Sequence, residues 1–167
     1  MAVSLDLMLH PTQSQVNDNP SPHKVICAGR GWGKSRFAAI DCTIKGLQDV
    51  NWAGRRVGEE DAILYLTDTF SHAKRIFWPI LKMVARPVTA AINENEGLLT
   101  LINGVRIQIA GADSQESIDR ARGYILRHAV IDEFADVDPN VYNIVVGPAV
   151  MKTNGTSLLI GTPHKGK

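Results

Sequence analysis

Long apolar runs are missing from this chain: no stretch of its 167 residues approaches the ~20 apolar residues that a membrane-spanning helix needs. Cysteine is scarce. The two present, Cys27 and Cys42, lack metal-ligand spacing, and one falls in an expected strand and the other in the helix after it. Both are read as reduced core residues, as in a cytosolic protein. The five histidines are scattered and make no zinc pattern. Excess charge of one sign is absent as well. A formal net charge of +1 gives no global attraction to nucleic acid or membrane and leaves only local basic patches. Met1 to Leu9 carry Asp6 and no basic leader region, so no secretory signal is read there. There is no internal repeat or low-complexity tract. What remains is the length and ordinary composition of one soluble domain with a real core.

The informative stretch is Lys24 to Ser35, Lys-Val-Ile-Cys-Ala-Gly-Arg-Gly-Trp-Gly-Lys-Ser. Val25 to Ala28 reads as a buried strand, followed by a Gly-rich turn and a helix beginning at Lys34. The pattern G-x-x-x-x-G-K-[ST] fits everywhere but at its first place, where Ala28 stands. Gly29, Gly31 and Gly33 permit positive φ, so successive N–H groups can line one concavity and hold an anion. The helix N-terminus adds unpaired donors and partial positive charge. Lys34 is placed to reach phosphates, and the Ser35 hydroxyl to ligate Mg²⁺.

Upstream, residues 1–23 are polar and turn-rich, with Pro11, Pro20 and Pro22. Gln13 has the donor and acceptor that suit an adenine edge, although on spacing alone a surface Gln is the simpler reading. Downstream, a helix to Leu47 stops near Gly46, and a charged loop covers 48–61. Ala62 to Thr67 reads as a buried strand and Ser71 to Ala85 as a helix that Pro79 kinks or divides. Repeated strand–helix units point to a parallel sheet flanked by helices. Leu98 to Ala110, with Asn103-Gly104 at its centre, reads as a hairpin with a type I′ turn. Gly111 to Arg122 is polar; Arg120 and Arg122 either sense phosphate or face solvent.

Ile125 to Ile131 is a further buried strand that delivers Asp132 and Glu133 to its C-terminal end. Alone, the pair is as readily a polar strand end. Behind a phosphate loop it reads as a metal anchor, Asp132, and a general base, Glu133. Asp136 to Met151 reads as a loop and a helix broken at Gly147-Pro148. Thr156 to Gly161 is a last buried strand. Thr162-Pro163 after it is at its simplest a turn, while a Thr there can also bond a water near the γ-phosphate.

Taken in order, these motifs resemble one family. The series is Pro11-x-Gln13, Ala28-Gly-Arg-Gly-Trp-Gly-Lys-Ser35, Thr67 to Trp78, the Asn103-Gly104 hairpin, Arg122-Gly123, Val130-Ile-Asp-Glu133 and Gly161-Thr-Pro163. It resembles the N-terminal ATPase domain of the large terminase subunit of tailed bacteriophages, the DNA-packaging motor, over Leu9 to Lys167. Arg30, four residues before Lys34, with the acid pair and the later Gly-Thr-Pro, is the more specific part. The resemblance implies an α/β P-loop NTPase fold, helicase- or terminase-like, with a mostly parallel sheet flanked by helices, over residues 1–167. It implies ATP and Mg²⁺ as cofactors, with Gln13 reading adenine and Gly29, Gly31, Gly33, Lys34 and Ser35 on the phosphates. Ser35 and Asp132 would hold the metal, Glu133 would be the catalytic base and Arg30 would act on the γ-phosphate. Thr162 would couple hydrolysis to DNA movement. The implied partners are double-stranded DNA, a portal, a small terminase subunit and further copies in a ring, with no membrane, in the cytoplasm of an infected or prophage-carrying bacterium.

The pattern departs from the family in three places. Ala28 replaces the first Gly. Trp32 puts a large ring at the loop tip, expected to pack on a neighbouring subunit or a lid. The family continues into more ATPase strands and a nuclease domain with an acidic metal cluster, whereas this chain stops just past Gly-Thr-Pro. The sheet is therefore expected to be C-terminally incomplete, and no nuclease site is assigned. Two other readings stand beside the motor: a helicase-like DNA-dependent ATPase outside packaging, and an inert nucleotide-binding remnant.

Overall fold

Apolar residues on both faces of single strands require cover on both sides of a sheet, and a computed structural model of the chain has that architecture. The structure describes residues 7–51, 53–54, 56 and 60–163, without the side chain of Arg120. The expectations placed on Gly58, on the Arg120 side chain and on residues 1–6 and 164–167 lie outside the described residues. Seven strands form one sheet: β1 His23–Cys27, β2 Asp61–Thr67, β3 Thr89–Asn93, β4 Leu98–Leu101, β5 Arg106–Gly111, β6 Ile125–Ile131 and β7 Thr156–Gly161. Their order is β1-β7-β6-β2-β5-β4-β3. The first five in that order run parallel, and β4 and β3 are antiparallel additions at the far edge.

Alternation along β2 divides the core. Ile63 and Tyr65 join one cluster with Phe37, Phe77, Trp78 and Leu81, from α2 (Lys34–Leu47) and the helical run over residues 70–85. Ala62, Leu64 and Leu66 join the other, with Ala121, Val145 and Val150 from α5 (Gln115–Arg122) and the helical run over 141–152. The first run consists of α3 (Phe70–His72), a π-wound segment Ala73–Phe77 and α4 (Trp78–Ala85). Pro79, which has no N–H for the helix ladder, sits in the first turn of α4, so its effect is a change of winding. The same holds at Gly147-Pro148, where π-wound Val141–Val146 passes into α6 (Gly147–Lys152) without a break.

Several expectations are corrected. β1 is an edge strand, with Val25 76% exposed and Cys27 exposed; only Ile26 in it is buried. A strand with one neighbour keeps an open flank, whatever its composition. The hairpin turn is not type I′, because positive φ occurs at Gly104 alone and not at Asn103. Gly104 N–H bonds Leu101 O at 2.9 Å and Leu101 N–H bonds Val105 O at 2.9 Å, giving a three-residue loop closed by Gly104. Gly46 lies inside α2; a Cβ there would stand 2.4 Å from Leu101 Cδ1, so it serves close packing. The polar N-terminal segment contains α1 (Pro11–Asp18), and the polar Gly111–Arg122 stretch contains α5. Arg122 pairs with Asp119 at 2.8 Å on the exposed face of α5.

One exposed carboxylate ties the β3–β4 turn to α4. Glu94 accepts from Lys82 Nζ at 2.6 Å, from Trp78 Nε1 at 2.7 Å and from Lys74 Nζ at 3.2 Å. The Lys82 hydrogen bond, followed by that of Trp78, draws its carboxyl from 4.5 down to about 2. A depressed carboxylate contributes stability above its unfolded pKa and loses it as pH falls through its folded pKa. Glu94→Gln is therefore expected to lower the unfolding temperature at neutral pH and low salt. The difference should shrink as pH drops from 4.5 toward about 2, and also in ~1 M salt, where screening acts within about 3 Å. Thermal melts followed by circular dichroism test this; a difference indifferent to both pH and salt would refute an ionic tie.

Candidate functional site

Parallel strands release their chains at one edge of the sheet, and the loops after β1, β6 and β7 meet there. The Gly-rich loop leaves β1 with Gly31 at φ +89 and Gly33 at φ +83, angles that only glycine adopts without strain. Gly33 caps α2, and Phe37 N–H bonds its carbonyl at 2.9 Å. Ala28, at the motif's first place, bonds Gly161 O through its N–H at 3.1 Å and packs on the core beside it. Its methyl group is thus accommodated. Lys34 Nζ donates to Ala28 O at 2.9 Å and to Gly29 O at 3.4 Å, folding the ammonium back over the loop. Ser35 lies in the first turn of α2 and is half-buried. Arg30 is exposed, and among the described residues no hydrogen bond or ion pair joins it to the acid pair.

The loop tip is held by the chain's own N-terminal segment. Trp32 O accepts from Gln13 Nε2 at 2.9 Å and lies 3.0 Å from His10 Nε2, while Trp32 Nε1 donates to Thr12 Oγ1 at 3.0 Å. The indole meets His10 and Phe37 edge-on, at 5.3 and 5.4 Å between centroids. Within the chain the indole is thus held by the N-terminal segment and Phe37; packing on a neighbouring subunit or a lid stays an expectation. Gln13 is not a surface residue but 4% exposed. Its amide spans the Trp32 carbonyl and, at 3.3 Å, the His10 N–H.

Asp132 follows β6 and is 6% exposed. Its Oδ1 accepts from Glu133 N–H at 2.9 Å and its Oδ2 from the Tyr65 hydroxyl at 2.6 Å. Burial raises its pKa above the usual carboxylate value. The hydrogen bonds from Tyr65 and Glu133 N–H and the charge of Lys34 pull the other way without cancelling that rise, and Glu133 adds to it. Burial, then the neighbouring Asp132, pushes the Tyr65 phenol well above 10.0, so it remains a donor. Tyr65 was missed in the sequence. Its signal was a lone hydroxyl inside an aliphatic strand, which must find a partner when buried.

Glu133 takes up φ 48, ψ 49, left-handed values that cost a non-glycine residue energy and mark functional turns. Thr162, after β7, donates from Oγ1 to Glu133 Oε1 at 3.1 Å and from its backbone N–H to Oε2 at 3.2 Å. Both carboxylate oxygens are thus held by one residue. The structure brings Lys34 into electrostatic reach of Asp132, Glu133 onto Thr162, and Gln13 under the loop; Arg30 stays apart.

The donor set fits Mg²⁺. An underprivileged charge on buried Asp132 gains from a cation, and a carboxylate with a serine hydroxyl supplies hard oxygen ligands. Among the described residues no three His, Cys, Asp or Glu gather into a metal cage.

A mostly parallel sheet with flanking helices, a glycine-rich loop opening a helix and an acid pair at the end of an interior strand define an α/β fold with a parallel sheet covered on both faces. More narrowly, the fold is that of the ATPase domain of phage large terminases. The large terminase ATPase domain of Thermus phage P74-26 superposes with a TM-score of 0.76 at 19% identity, over 96% of this chain and 67% of that one. The large terminase of the thermophilic bacteriophage D6E superposes with a TM-score of 0.67 at 13% identity, over 89% of this chain and 35% of that one. The same phage's enzyme in complex with ADP gives 0.58 at 19% identity, over 83% and 33%. The chain thus spans about two thirds of an isolated ATPase domain and a third of a whole large terminase. No protein-family model and no curated protein sequence matches it. Among the described residues no helix is long and apolar enough to cross a membrane.

Removing the Trp32 indole deletes two edge-on ring contacts and a hydrogen bond, together worth about 1–3 kcal/mol. Trp32→Ala is expected to speed amide exchange at residues 29–34 by roughly tenfold or more while β2 stays protected. Hydrogen-exchange mass spectrometry reads both segments; unchanged loop exchange would mean that the indole does not hold the tip.

Proposed function

We propose that this chain is an ATP-hydrolysing motor domain of a DNA-packaging terminase large subunit, driving double-stranded DNA into a capsid. The observation that carries the reading is the joint placement of Lys34, Asp132, Glu133 and Thr162 where three parallel strands end. ATP lies with its phosphates in the Gly29–Gly33 loop, and Lys34 exchanges the Ala28 and Gly29 carbonyls for phosphate oxygens. Gln13 sits behind the loop on the side of the N-terminal segment, and beyond Trp32 O and His10 N–H its amide keeps one N–H and one oxygen lone pair with which to read the base. Ser35 and Asp132 would hold Mg²⁺, which when bound would neutralise charge on the phosphates.

Glu133 orients the attacking water and accepts its proton at a carboxylate oxygen. Each of its oxygens accepts one Thr162 donor and keeps a lone pair for that proton, and protonation of an oxygen weakens it as an acceptor for Thr162. That weakening is the means by which Thr162 couples hydrolysis to movement. Transition-state charge is met by Lys34 and by an arginine, either Arg30 after a shift of the loop or one from another copy in a ring. Double-stranded DNA, a portal, a small terminase subunit and sister subunits are the partners this reading requires, in the cytoplasm of an infected or prophage-carrying bacterium.

Steady-state ATP hydrolysis with and without linear double-stranded DNA tests the proposal. Lys34→Ala and Glu133→Gln are each expected to cut turnover about 100-fold or more, and DNA to stimulate the unmodified chain. Thr162→Val, which removes the hydroxyl donor but keeps the backbone one, is expected to change basal turnover less than about tenfold and to abolish the DNA response. A folded chain that neither binds nor hydrolyses ATP would sink the proposal. Turnover equally stimulated by single strands would favour the helicase-like alternative.

A further inference from the structure

Tyr65 is a buried polar side chain at the site for which the hydrolysis scheme has no use. It lies in the middle of β2, between β5 and β6, and its ring stacks face to face on Phe77, 3.5 Å between centroids and 3° from parallel. The neighbouring strand fixes the other partner: Tyr65 stands beside Val130 in the β2–β6 register, and Asp132 N–H bonds Leu66 O at 2.8 Å. The phenol therefore meets Asp132 Oδ2 from a rigid platform, while Oδ1 is tied to Glu133 N–H. Each carboxylate oxygen accepts one protein donor and keeps a lone pair. With one tie on each oxygen, the carboxylate plane is fixed before any ion arrives.

We infer that Tyr65 is a positioning residue for the divalent cation: it holds the Asp132 carboxylate in the orientation that presents its remaining lone pairs to Mg²⁺. The inference rests on the Mg²⁺-dependent ATPase reading above and deepens it. Ordering supplied in advance by a buried partner is not lost again when the ion binds, and loss of such outer partners typically weakens metal binding or activity by 10–100-fold. Phe77 shares the task, because the stacked ring leaves the phenol little freedom about the strand.

Tyr65→Phe keeps the ring and its stacking on Phe77 and removes only the hydroxyl. At saturating ATP, the Mg²⁺ concentration giving half-maximal hydrolysis is expected to rise about tenfold or more. Mn²⁺ binding in the presence of ADP, read by electron paramagnetic resonance, should weaken in parallel. ADP affinity without divalent cation should stay within about twofold, since the hydroxyl touches no part of the loop. A role in folding alone would move the unfolding temperature and leave the cation dependence in place; that result overturns the inference. In the Asp132→Asn background, Tyr65→Phe should have no further effect on Mn²⁺ binding, and an additive effect overturns it too. Should Tyr65→Phe not fold, tyrosine absorbance of the unmodified chain is followed as Mg²⁺ is added to the ADP-loaded protein. A shift lost in Asp132→Asn supports the contact, and no shift refutes it. An unmodified chain that binds ADP no better with Mg²⁺ than without it would instead overturn the ATPase reading, and this inference with it.

Discussion

Five neighbouring strands running in one direction is the constraint from which the site follows. A parallel strand needs a long crossover before its successor, and each crossover starts from the same edge of the sheet. The glycine-rich loop, the acid pair and Thr162 lie far apart in sequence, yet each segment begins directly after a strand's C-terminal end. The register fixes their heights: Ile131 pairs Leu159 and Cys27 pairs Gly161. Thr162 consequently clears the sheet where Glu133 turns back, and the clamp between them needs no loop of its own.

The opposite half of β6 anchors that geometry. Between the pairs Ala62–Leu126 and Ile63–His128 the strand carries an extra residue, Arg127. A bulge of this kind re-aims the side chains after it. Arg127 is 4% exposed and reaches the last carbonyls of α2, Gln48 O at 2.8 Å and Gly46 O at 3.3 Å, where a cation suits the helix end. His128 lies 2.9 Å from Asp41 of α2 and 2.7 Å from Thr156 of β7. Burial alone would raise the Asp41 pKa; the close His128, with Lys45 and Lys24, outweighs it and holds the carboxyl below its usual value. These buried polar contacts bind α2, β6 and β7 together. They are the three elements that carry Lys34 and Ser35, the acid pair and Thr162.

Those parts of the fold that depend on local pattern were legible in the sequence. The loop after β1, the strand before Asp132, the helix of Ala73, Phe77 and Leu81 and the last strand all announce themselves by periodicity or by glycine placement. What stayed hidden depends on neighbours. Nothing in Val25-Ile-Cys27 tells that its strand lies at an edge, since exposure is set by sheet order. Helix α1 turns little apolar surface inward and α5 only Ile118 and Ala121 in a short polar stretch, and Asn103 carries a turn signal whose type is set by how β4 and β5 are joined. The burial of Gln13 and the partner of Tyr65 are contacts between segments 19 and 67 residues apart. They are invisible to any window that reads one element at a time.

The open flank of β1 gives the two cysteines opposite chemistries. Cys42 is sealed in the core, where burial and then Asp41 push its thiol well above 9.0, so it stays protonated and out of reach. Cys27 is exposed at the end of β1, two residues before Gly29. A thiol-directed fluorophore or spin label therefore attaches at one place in this chain, beside the glycine-rich loop. The chain comes with its own single-site spectroscopic handle.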